Sequence, residues 1–265
     1  MQAPKANLRL CGRAGLALAL LAMAVSSAAA GSGNYLIVTA SEYDGSAALN
    51  ELIAAKTALG FNVMTYTAIT GTSRDTIKAY IESLWGTADA PDYILLVGDA
   101  SSSTATPTTL PYWTGGGSKH APTDLPYTCM DGGDDWHPDI AIGRFSVTSV
   151  SMLQTVVDKT LFVEAGNFPD PDYVRRGAFL AHPSTYGMAE PTHDWVIENY
   201  FEPNDYEGIR LYARDGATTQ DVTNAVNYGC LWVVYYGHAV GDWWNPAFTQ
   251  ANVRALSNEG LYGVV

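Results

Sequence analysis

From residue 34 onward, short apolar runs alternate with amphipathic stretches. NYLIVTA (34–40), FNVMTYT (61–67), DYILLVGD (92–99) and IAIGRF (140–145) read as strands. Between them, GSAALNELIAAKTALG (45–60), TSRDTIKAYIESLW (72–85) and SVSMLQTVVDKTLFVEAG (149–166) carry helical spacing. The second of these puts Ile77, Tyr80, Ile81 and Leu84 on one face and opens on a variant capping box, Thr72 with Asp75. Strand and helix in this alternation predict a parallel sheet with right-handed crossovers.

The rhythm breaks twice. Residues 100–138 are rich in Ser, Thr, Gly and Pro and too long for a simple connection. NFPDPDY (167–173) reads as a linker. Beyond it the alternation resumes with GAFLA (177–181), a helix through HDWVIENYF (193–201), IRLYA (209–213), a helix through TTQDVTNAVNYG (218–229), and a last strand ending at His238. The expected fold is α/β, with two side-by-side, doubly wound, mostly parallel sheets. The first subdomain would cover 31–168 and the second 169–265.

The run LWVVYYGHAVGDWW (231–244) locates the chemistry. Six apolar or aromatic residues bounded by Gly237 suit a strand covered on both faces, which needs no polar side. His238 then stands at the strand's carboxyl end, where open α/β sheets bind ligands, and an imidazole there can exchange a proton near neutral pH.

Composition changes this picture at the amino terminus. Lys5, Arg9 and Arg13 precede an apolar core from Ala14 to Val25, followed by small residues up to Ala30, the pattern of a secretory signal peptide over 1–30. The core falls short of the roughly 20 residues a bilayer span needs. Cys11 would leave with the leader. Without those three basic residues, 11 Lys and Arg face 27 Asp and Glu, a charge of −16, so nucleic acid and anionic membrane surfaces are poor partners. Cys129 and Cys230 remain, as one disulfide or two free thiols.

DYILLVGD, PDIAIGRF, the helix SMLQTVVDKTLFVE, VVYYGH, then Trp244, Phe248 and LSNEGLYGVV occur in that order. Together they resemble the gingipain-like cysteine endopeptidases, relatives of the caspases, over about 34–265. The resemblance implies a secreted peptidase acting on protein or peptide substrates, its active site in the second subdomain. His238 matches the family's catalytic histidine, which works with a cysteine ending the next strand. Ala239 stands where the pattern has glycine, and its backbone amide is the expected oxyanion donor. No cysteine follows His238, and EGLYGVV reads as the start of the strand that would deliver it, so the second sheet is expected to be incomplete and the chain inactive as it stands. Cys230 opens the strand that His238 closes, roughly 27 Å away at about 3.4 Å per residue, too far for a dyad. A non-catalytic module binding peptide or glycan at the same crevice is the alternative.

Two further expectations concern ligands. Family members that cut after Arg or Lys place an acid in the first specificity pocket, and Glu190 is its counterpart by position, with Asp194 behind it and Trp244 at the pocket mouth. An acidic helix cap is the competing role for Glu190. DGGDDWHPD (131–139) gathers Asp131, Asp134, Asp135 and Asp139 within nine residues, which suits Ca2+ or an ordinary solvated turn. The resemblance also implies calcium. His120 and His137 lack the paired spacing of a zinc site. Oligomeric state is not legible.

Overall fold

The computed structural model describes residues 33–69, 71–99, 110–113, 120–132, 135–238 and 243–265. The expected leader lies outside these. Among the described residues no helix is long and apolar enough to cross a membrane.

The first half runs β1 (Asn34–Ala40), α1 (Ala47–Ala58), β2 (Asn62–Ala68), α2 (Arg74–Leu84), β3 (Tyr93–Val97), a hairpin of β4 (Leu110–Trp113) and β5 (His120–Thr123), β6 (Ala141–Phe145) and α3 (Val150–Ala165). Its sheet has the order β2-β1-β3-β6, every pair parallel. β1 lies inside it, and alternate residues serve opposite faces. Leu36 and Val38 pack with Ile77 and Ile81 of α2, whereas Ile37 packs with Leu49 and Leu52 of α1 and Leu153 and Val157 of α3. Each such side chain, fully buried, contributes about 1.5–3 kcal/mol of transfer free energy. Both faces are covered, so the strand reads as one apolar run. Lys56 of α1 pairs with Glu164 of α3 and ties these helices together.

The second half runs β7 (Arg176–Ala181), α4 (Tyr186–Val196), β8 (Glu207–Tyr212), α5 (Thr219–Tyr228) and β9 (Trp232–Tyr236), then the short pair β10 (Trp243–Trp244) and β11 (Phe248–Thr249), and α6 (Gln250–Arg254). The order β8-β7-β9 is again parallel. β7, in the middle, is buried throughout. Ala178 and Leu180 meet Val222, Ala225 and Val226 of α5, while Ala181 meets Ala189 of α4. Beyond β9, Val264 forms a parallel bridge with Trp232, its amide donating to the Leu231 carbonyl at 2.7 Å and its carbonyl accepting from Val233 at 2.9 Å.

Three local expectations change. The α2 cap is Ser73, whose hydroxyl accepts from the Thr76 amide, while Thr72 accepts from the Ile69 amide. The interval 100–138, read as irregular, contains the β4–β5 hairpin. α4 begins at Tyr186, well before the expected helix, and encloses Pro191. Burial of Ala189, Glu190 and His193 outweighs the proline's missing N–H there.

Candidate active site

The carboxyl ends of β7 and β9 form the floor of the site. Ala181 and Tyr236 are partners in the ladder, and the His182 amide extends it by donating to the Tyr236 carbonyl at 3.1 Å. Chain packing requires Gly237 next: a Cβ there would lie 2.1 Å from the His182 Cβ and 2.9 Å from the Tyr235 hydroxyl. The close approach seats His238 beside His182, ring centroids 5.8 Å apart. His238 is exposed.

Two neighbours hold this corner. The Tyr235 hydroxyl donates to the His238 carbonyl at 2.5 Å, and the Tyr235 ring lies flat against Trp244, centroids 4.7 Å apart. Trp244, expected at the pocket mouth, is half-buried in this stack, and it also lines an apolar groove with Val233, Phe248 and Tyr262. On the other side, the Ser184 amide donates to Nδ1 of His182 at 3.0 Å, with the Ser184 hydroxyl 2.7 Å from the same nitrogen. A backbone N–H can only donate, so Nδ1 accepts and the neutral ring carries its proton on Nε2. His182 was not singled out in the sequence, although GAFLAH ends as VVYYGH does, with a histidine at the close of an apolar run.

The remaining expected residues fall in three places. Ala239 lies outside the described residues. Glu190 is buried within α4, past its first turn, and both carboxylate oxygens are taken by Arg214: Nε to Oε1 at 3.1 Å and Nη2 to Oε2 at 2.5 Å. It is therefore no first-turn cap. Asp194 accepts from Nε of Arg210 and from the Tyr212 hydroxyl, both at 2.8 Å. In the acidic loop Asp134 lies outside the described residues and Asp131 is exposed. One oxygen of Asp135 accepts from the His137 amide, and Asp139 accepts from the Met130 amide. Among the described residues, no three His, Cys, Asp or Glu side chains converge as a metal would need. Asp131 and Asp135 do not fit a calcium site by themselves.

Both described cysteines are free thiols and buried, which decides between the two arrangements left open above. Burial pushes Cys230 up to about 11, with Glu207 adding to the rise, and raises Cys129 too, with Asp135 adding. Neither forms thiolate readily.

Comparison with known proteins identifies the family. The model of peptidase family C25 matches residues 28–265. Lys-gingipain of Porphyromonas gingivalis is 26% identical over 200 residues, 72% of this chain and 11% of that protein. Gingipain R2 of the same organism is 28% identical over 132 residues, 48% of this chain and 18% of that one. A solved structure described as a protease superposes with a TM-score of 0.71 at 23% identity, covering 87% of this chain and 50% of its own, and shares the fold. The chain thus spans only a small part of the length of these gingipains. With the whole of both parallel sheets inside the matched region, the chain belongs to peptidase family C25, the gingipain-like cysteine peptidases.

Proposed function

We propose that this chain supplies the histidine half of a secreted cysteine endopeptidase site, with His238 as general base and general acid. The observation that carries the reading is the parallel bridge between Val264 and Trp232 on the outer edge of β9. In that register, a strand continuing from Val264 comes level with Tyr236 after four residues and with His238 after six. A cysteine at that height would stand beside the His238 imidazole.

The chemistry then balances. His238 takes the thiol proton, the thiolate attacks the peptide carbonyl carbon, and the C–N bond breaks as His238 returns the proton to the leaving amine. Water, deprotonated by the same imidazole, releases the acyl group and regenerates the thiol. The Ala239 amide is the sequence-based candidate for the oxyanion donor. Secretion is supported by the leader pattern at 1–30 and by the acidic balance of the remainder.

The test is to express the gene product through the strand that follows Val264. A cysteine four to six residues on, peptide cleavage under reducing conditions, and a loss of about 10² to 10⁴ in rate in His238→Ala with unchanged melting temperature are expected. A folded His238→Ala protein that keeps its activity would refute the mechanism. No cysteine on that strand would leave a peptide- or glycan-binding crevice instead.

A further inference from the structure

A cation stands at the same end of the sheet as His238, on the turn that follows β8. α4 leaves the carboxyl end of β7, and its N-cap Thr185 hydroxyl lies 3.4 Å from the Tyr236 carbonyl, two residues before His238. The next residue, Tyr186, is exposed, and the guanidinium carbon of Arg214 lies 4.8 Å from its ring centroid. Arg214 belongs to the turn Ala213–Asp215 that follows β8. One turn along α4 from Tyr186, the Glu190 side chain is 7% exposed, against 50% for Arg214. Arg214 also makes a looser contact with Asp215, Nη2 to Oδ1 at 3.8 Å. Strands lie about 4.8 Å apart, so the turn after β8 stands roughly 10 Å across the sheet from β9, within reach of a long substrate side chain seated at His238.

The order of burial decides what such a side chain meets. A carboxylate this deep needs a cation, because a lone buried charge is strongly destabilising, and Arg214 supplies one from within the chain. Its fork engages both Glu190 oxygens and offsets their charge, so the carboxylate attracts an incoming ammonium or guanidinium only weakly. What remains toward solvent is the half-exposed guanidinium on the Tyr186 ring. A substrate lysine or arginine would face a like charge there, whereas a neutral amide or a carboxylate would find a donor.

We propose that Arg214 is a specificity-determining residue, screening Glu190 so that the site takes a substrate side chain without positive charge immediately before the scissile bond. The inference rests on the peptidase reading above. Its test uses the gene product extended through the next strand and peptides that differ only in that side chain: Lys, Arg, Gln or Glu. The Gln and Glu peptides should be cut in preference to Lys and Arg. Arg214→Gln, which uncovers Glu190, should raise kcat/KM for Lys and Arg relative to Gln by roughly tenfold or more, and adding Glu190→Gln should remove that gain. Glu190→Gln alone leaves Arg214 with only its looser contact to Asp215 and should shift preference toward Glu, which keeps the proposal testable if Arg214→Gln does not fold. A natural preference for Lys or Arg, or unchanged ratios in folded variants, would overturn it. If no peptide is cut, the peptidase reading fails on its own. Calorimetric binding of peptides ending in Lys, Gln or Glu then makes the same comparison, in which the same order supports the assignment and equal affinities overturn it.

Discussion

The imidazoles of His182 and His238 meet edge to face, their planes 80° apart and their centroids separated by 5.8 Å. Among the described residues no carboxylate hydrogen-bonds to either ring, and His182, held through Nδ1 by Ser184, is the ring packed beside His238. In the extended protein, His182→Ala should lower kcat by roughly 10- to 100-fold, the scale of a misplaced catalytic group, and leave KM little changed. Ser184→Ala keeps the backbone donor and should cost less. Steady-state kinetics decide it; a rise in KM at constant kcat would assign His182 to substrate binding.

Gly237→Ala tests the close approach of the two strand ends. The added methyl has no room against the His182 Cβ, and overpacking of this kind costs about 1–3 kcal/mol. The melting temperature should fall, and His182→Gly in the same protein should restore part of it. An unaltered melting temperature in Gly237→Ala would mean that the chain ends separate freely.

His193 should make stability depend on pH. Burial holds its imidazole below the ordinary value, against a smaller upward pull from Asp194, and its Nδ1 is buried without a hydrogen-bond partner. As pH falls through about 6.5 the unfolded chain takes up the proton first, so this contribution is complete above that pH and is lost below it. The burial of Asp194 is outweighed by hydrogen bonds from Arg210 and Tyr212, which lower it, so its window opens only below about pH 4. Melting temperatures should drop between pH 7 and 5.5, and His193→Phe, whose ring fits beside Phe179, should flatten that drop. An unchanged slope in the folded variant would place the titration elsewhere.

Cys129 and Cys230 should resist iodoacetamide in the folded protein and react once guanidinium unfolds it, because both are buried and raised above their ordinary range. Peptide mass mapping reads both sites. Rapid alkylation of either in the native state would reopen its candidacy as a nucleophile.

What the sequence revealed follows from how each feature is encoded. β1 and β3 were legible because burial on both faces writes an unbroken apolar run; β9 writes such a run too and is closed by His238, but it is an edge strand with Trp232 and Tyr236 exposed, not the strand covered on both faces that the run suggests. α4 was only half legible: Pro183, Gly187 and Pro191 break the local signal, and its start is decided by packing of Ala189 and His193 beneath the sheet. The Glu190–Arg214 pair joins a helix to a turn 24 residues away and leaves no period to read. The acidic loop was legible only as a count of carboxylates, since spacing cannot show that Asp135 and Asp139 accept from backbone amides.

The bridge from Val264 to Trp232 also has a consequence in time. Strand order and chain order coincide on this side of the sheet: β9 is made first, and the neighbour that meets its outer edge emerges afterwards. With synthesis at about 5–20 residues per second, the chain from Trp232 to Val264 takes a few seconds to make, so the outer edge of β9 gains this neighbour only after the strand itself exists.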